Sequence, residues 1–148
     1  MGQIKLVLDN NVLAEYNEYY FSMHPRAKKV PIEKPWYPSL NQIIVMPRMS
    51  ENHIKQVWKT FIAWWIKQQG YQDMKLSHFK LCVRIFKNSR IRADNDNMTP
   101  KLPDDGFTEA GFIVDDDYKH MYSLTIEVGY DPVYPRTEFI FEYDDKLG

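Results

Sequence analysis

The sequence predicts a single α+β domain spanning residues 1–148, a mixed β-sheet of about four or five strands packed by two main helices. Three observations predict it. Segments with apolar residues at alternate positions, the mark of half-buried strands, lie near the start, in the middle and twice near the end. One long segment, Ser50 to Gly70, carries apolar residues at helical spacing instead. The 148 residues are 44% apolar, enough for one filled core, and no repeat or low-complexity stretch divides them.

Ile4 to Leu8 reads as the first strand, and Asp9-Asn10-Asn11 follows as a turn signal. Tyr16 to Met23 is aromatic-rich and reads as a second extended piece. From His24 to Pro47 the chain is irregular, punctuated by Pro25, Pro31, Pro35, Pro38 and Pro47, with a short strand expected at Ile43 to Met46. Ser50 is a good N-cap for the long helix, Glu51 favours its first turn, and Gly70 is placed to stop it. Ile54, Val57, Trp58, Phe61, Ile62 and Trp65 form its apolar stripe. Trp64 and Ile66 widen that stripe, which implies either a helix buried on two sides or a face that meets a second subunit.

Phe79 to Phe86 is the clearest strand, with Phe79, Leu81, Val83 and Ile85 alternating with Lys80, Cys82 and Arg84. A short helix is expected from about Pro100 to Ala110 with Gly111 ending it, since proline is tolerated in a first turn. Tyr122 to Val128 and Thr137 to Tyr143 are two further strands, and Gly129 to Arg136 is expected to join them as a loose hairpin.

The single cysteine, Cys82, excludes an internal disulfide and fits a reducing compartment. The first residues hold too short an apolar run for a signal peptide, and no stretch is long enough to span a membrane, so the cytoplasm is the expected location. The net charge of −1 conceals an asymmetry: 15 Lys+Arg stand against 6 Asp+Glu before Asp94, and 4 against 14 from there on. Such halves are either solvated faces or a phosphate-contacting surface beside a cation-holding one. In the basic half, Arg26, Lys28, Lys29 and Lys34 are interleaved with Trp36 and Tyr37, a composition suited to an ordinary surface loop or to nucleic-acid backbone contact and base stacking.

The acidic half begins with Asp94-Asn95-Asp96-Asn97, continues through Lys101, and reaches Asp115-Asp116-Asp117. Carboxylates gathered so closely repel unless a cation lies among them, and hard divalent ions prefer their oxygens. A calcium-binding EF-hand loop opening at Asp94 fails, because its fifth position is Met98, its sixth is Thr99 where glycine is needed, and its twelfth is Asp105. One cysteine and four scattered histidines argue against zinc, and no glycine-rich phosphate loop or nucleophile elbow is present, so no organic cofactor is expected. Magnesium, with manganese as a substitute, held by Asp94, Asp96 and one or more of Asp115 to Asp117 accounts for the acids most economically.

The same stretch resembles the RusA family of Holliday junction resolvases, whose motif runs Asp-x-Asp-Asn-x-x-Lys, then Asp-x-Leu, near Gly-Val-x-x-Asp-Asp. Here the counterparts are Asp94-Asn95-Asp96-Asn97, Lys101, Asp105-Gly106-Phe107, and Gly111 through Asp116, with one residue inserted between Asn97 and Lys101. The resemblance implies a metal-dependent endodeoxyribonuclease that resolves four-way DNA junctions by paired nicks, works as a homodimer, and is common in phages. It implies Asp94, Asp96 and Asp116 as catalytic metal ligands, with Asp115 able to exchange roles with Asp116, and Lys101 as an essential basic residue. Arg84, Lys87, Arg90 and Arg92, with Lys28 and Lys29, are then expected on the DNA backbone. Two alternatives stay open: a nuclease for flap or other branched DNA, and a catalytically silent DNA- or protein-binding module with a structural metal.

Overall fold

The computed structural model describes residues 2–90 and 95–144, with Asn95 and Asp96 described by their backbone alone. The elements are β1 (Gly2–Asp9), α1 (Asn10–Met23), α2 (Leu40–Ile44), α3 (Arg48–Gln69), β2 (Phe79–Lys87), a 3-10 turn (Asn95–Met98), α4 (Lys101–Glu109), β3 (Met121–Tyr130) and β4 (Arg136–Tyr143). They form an α+β domain on a four-stranded mixed sheet in the order β1-β4-β2-β3. β4 is antiparallel to both of its neighbours, while β2 and β3 run parallel. Leu6, Phe139 and Val83 stand opposite one another across β1, β4 and β2, and all three are buried.

Three sequence expectations give way to local chemistry. The region of Tyr16 to Met23 is helix, not an extended piece, because Asp9 is an N-cap and not a turn residue: its carboxylate accepts the Val12 amide at 2.9 Å. Leu13, Tyr16 and Tyr20 then fall on the face of α1 that meets the core. Ile43 to Met46 is not a strand, because Ser39 and Gln42 close a reciprocal capping box that starts α2 one residue before Asn41. Finally, β3 and β4 are not a hairpin. β4, with Thr137, Phe139 and Phe141 fully buried, takes the central place between β1 and β2, and the link from β3 crosses the end of β2, where the Asp131 amide donates to the Lys87 carbonyl at 2.9 Å. β3 carries Ser123, Thr125 and Glu127 and stays at the edge.

α3 starts two residues earlier than Ser50, at Arg48 after Pro47, and ends at Gly70 in the left-handed region (φ 78°). Its stripe is wide because it packs on two sides. Trp58, Phe61, Ile62, Trp65 and Ile66 are buried in the core, while Trp64 lies against Tyr16 and Tyr19 of α1 at ring separations of 5.2 and 6.1 Å. α4 crosses α3 at Gly106, where an added Cβ would lie 2.7 Å from the Ile62 Cβ. One turn of contact therefore depends on a missing methyl group. Phe107 beside it anchors the helix edge-to-face on Phe139 and Phe141, each at 5.3 Å.

A Gly106→Ala substitution tests this close approach. A better helix former should offset only part of the overpacking, leaving a net loss of about 1–2 kcal/mol in chemical denaturation. An unchanged or raised stability would show that Ile62 yields at little cost.

Candidate active site

α4 is the mount of the site. Lys101 is its first residue, Pro103 sits in the first turn where no hydrogen-bonded amide is lost, and Asp105 lies one turn beyond Lys101. The chain leaves α4 through Gly111 (φ 78°), and the loop that follows returns Asp115 and Asp116 toward the helix start. Lys101 Nζ lies 3.3 Å from Asp105 and 3.6 Å from Asp116, so the inserted residue before it does not carry it away from the acidic loop. Burial opposes the charge of Lys101, but Asp105 and Asp116 outweigh that and raise its pKa.

Asp116 is pushed above the usual carboxylate range by burial, then drawn back by Lys101, while the Asp115 hydrogen bond and the charges of Asp105 and Asp115 raise it again. Asp115 Oδ1 accepts the Asp116 amide at 2.8 Å. Asp117 is engaged elsewhere. Its carboxylate accepts the His120 amide at 3.2 Å and lies 2.6 Å from the His120 ring nitrogen, closing the turn into β3. The third acid of the run is thus committed to a turn.

Sequence reasoning gives no role to Asp104. It is 4% exposed, and its buried Oδ1 has no hydrogen-bond partner among the described residues. Burial foremost, then Asp116 and Asp105, raise its pKa well above the usual value, with only Lys101 acting the other way. A signal is present in the sequence: Asp104 stands three residues before Phe107, on the side of α4 that turns inward.

The expected cations separate into different surroundings. Lys87, at the end of β2, is partly buried; its ammonium lies 5.7 Å from the Trp36 ring, and that of Lys34 lies 5.6 Å from the same ring. Burial and the nearby Lys34 lower the pKa of Lys87. Arg90 rests 4.8 Å over the Tyr130 ring. Arg84 projects from the opposite face of β2, paired with Glu127 at 2.8 Å. Lys28 and Lys29 are exposed in the loop between α1 and α2. Tyr37, its neighbour Trp36 notwithstanding, is core: it is 1% exposed and donates to the Met98 carbonyl.

Asp94 and Arg92 lie outside the described residues, as does the side chain of Asp96. Among the described residues no three His, Cys, Asp or Glu side chains are grouped to hold a metal ion. Those described do fit a share in one: the donors are hard carboxylate oxygens, one buried oxygen is orphaned, and among the described residues Lys101 alone offsets the charge of Asp104, Asp105 and Asp116. The chain matches no protein-family model and no curated protein.

The raised pKa of Asp104 fixes the sign of a pH effect. The fold favours its protonated form, so that stabilisation is present at acid pH and is lost as pH rises through the folded-state pKa. In chelator, Asp104→Asn, which cannot ionise, should be more stable than the native chain near neutrality by about 1–3 kcal/mol, the free energy of keeping on folded Asp104 a proton that the unfolded chain releases. The difference should vanish toward pH ~4, near the ordinary carboxyl pKa. Denaturant midpoints measured across that range check it, and a pH-independent difference would assign the effect to packing.

Proposed function

We propose that the chain is a metal-dependent endonuclease of branched DNA, with the four-way junction as its substrate. The observation that carries this reading is Lys101 set between Asp105 and Asp116 on the helix that follows the Asp94–Asn97 segment. Three parts of the RusA-like motif, a pattern of sequence order alone, thereby meet in one place. Asp94, Asp96 and Asp116, with Asp115, would hold magnesium or manganese. When bound, such an ion activates water and neutralises charge on the leaving oxygen.

The remaining chemistry belongs to the chain. Lys101, whose side chain is 60% exposed, can trade its carboxylate partners for a phosphate oxygen and hold the scissile group in line. Lys34 and Lys87 supply two cations without an acidic partner among the described residues, and half-buried Trp36 between them offers a ring to an unpaired base. Arg90 extends the basic side, whereas Arg84 is already engaged on the far face. A four-way junction presents two equivalent strands, and a homodimer would present two such sites to them. No helix among the described residues is long and apolar enough to cross a membrane, and a cytoplasmic place of action suits a nuclease of this kind.

The deciding experiment is cleavage of a labelled mobile four-way junction, with and without magnesium, beside linear duplex and flap controls. Paired magnesium-dependent nicks are expected on the junction, and Asp116→Asn should reduce cleavage ~100-fold or more while keeping fold and DNA binding. Junction binding without cleavage in either metal would establish the silent module. Preferred cutting of the flap would reassign the substrate.

The DNA contacts have a separate signature. Lys34→Ala and Lys87→Ala should each weaken binding to all junction sequences alike and lower the salt dependence of binding by about one phosphate contact. Titrations at several salt concentrations measure this; an unchanged slope removes the Trp36 region from the interface.

A further inference from the structure

The RusA-like pattern accounts for Asp105 and is silent on Asp104, yet Asp104 is the more unusual residue of the two. Its backbone needs nothing: the Asp104 amide donates to the Pro100 carbonyl at 2.9 Å, and its own carbonyl accepts the Thr108 hydroxyl at 2.9 Å. Its carboxyl group is another matter. The side chain is buried, and Oδ1 finds no donor among the described residues.

The chain shows elsewhere how it buries an acid whose role is purely structural. Glu138 is 5% exposed, and its carboxylate is met by Arg136 at 2.8 Å and Lys5 at 3.6 Å. Asp104 has no such counterpart among the described residues. Lys101, the one described cation acting on it, is placed against Asp105 and Asp116. The Tyr37 hydroxyl is close enough to feel the Asp104 charge, but it donates to the Met98 carbonyl. A buried carboxylate with an empty acceptor costs free energy in either protonation state, because protonation supplies a donor and leaves the other oxygen unmet. A small cation beside Asp116 removes both difficulties at once. Magnesium and manganese take carboxylate oxygens directly or through a bound water, and partners of the second kind also tune affinity.

We propose that Asp104 is an additional acid of the divalent-cation centre, sharing the ion with Asp116 and supplementing the acids of the motif. The inference rests on the metal-dependent reading above. It makes the inward side of α4 part of the centre, so that the ion ties α4 to the loop before β3.

Binding of manganese to the purified chain, followed by calorimetry and by paramagnetic resonance of the free ion, tests it without any DNA. The native chain should bind manganese. Asp104→Asn and Asp104→Leu should each weaken that binding ~10-fold or more, the loss typical when a supporting partner is removed from a metal site. Both variants should show native circular dichroism, and both should lose most of the manganese-induced rise in thermal midpoint. Lys5→Ala, which loosens the Glu138 cluster, should leave manganese affinity unchanged. Native-like affinity in both Asp104 variants would overturn the role of Asp104 while leaving the metal-dependent reading intact. Absence of manganese binding by the native chain would overturn both.

Discussion

The approach of α4 to α3 at Gly106 is the contact on which the polar centre depends. With an added Cβ only 2.7 Å from Ile62, no other residue type lets the two helices lie so close. Phe107 then drops between Phe139 and Phe141, while Leu102 and Pro103 are buried on the same short helix. A nine-residue helix has little stability of its own and takes its position from packing. That packing fixes Lys101, Asp104 and Asp105 relative to the sheet. The buried side chains of α4 thus set the placement of its polar ones.

The electrostatics of the centre follow from burial first, and then from the single lysine that the described residues set against its acids. Lys101 serves Asp105 and Asp116 together, and the effect is visible on both sides: its own pKa rises, yet that of Asp116 still ends above the ordinary value. Where an acid of this chain is fully satisfied, arginine meets it, as Arg136 does for Glu138 and Asp131. Where an acid closes a turn, an amide and an imidazole meet it, as for Asp117. Asp104 and Asp116 receive neither treatment. Among the described residues Asp116 is met by Lys101, and the buried Oδ1 of Asp104 by no donor.

Much of this is legible in sequence, and the failures share a physical origin. Alternation locates β2 and β4, and the helical stripe locates α3, because both report burial on one face. The errors at α1 and α2 come from weighing residue type ahead of capping: Asp9 and Ser39 each begin a helix, and aromatic or β-branched residues behind them give way to the capped start. Strand order is a matter of which strand has two buried faces and two neighbours, and adjacency in sequence misleads for β3 and β4. At the site, the resemblance draws attention to Lys101, Asp115 and Asp116, which the structure brings together, but Asp104 looks like one more acid in an acidic run. Its burial distinguishes it, and a count of charges passes over the one sequence signal of that burial, the three-residue spacing to Phe107. Asp94 and the Asp96 side chain, outside the described residues, rest on sequence alone.

The sheet order has one more consequence for the centre. β2 and β3 are parallel, so the chain must travel from the end of β2 back to the level of its start before β3 begins, where the Phe79 amide donates to the His120 carbonyl at 2.9 Å. A parallel connection of this kind is long and ordinarily carries a helix. Here it carries every motif acid and the motif lysine: Asp94 and Asp96 before α4, Lys101 and Asp105 on it, and Asp115 and Asp116 after it. A hairpin between β2 and β3 would have no room for them. The crossover that costs the fold a long loop is thus the same segment that lets acids far apart in sequence meet one lysine, and α4 within it is both spacer and wall of the site.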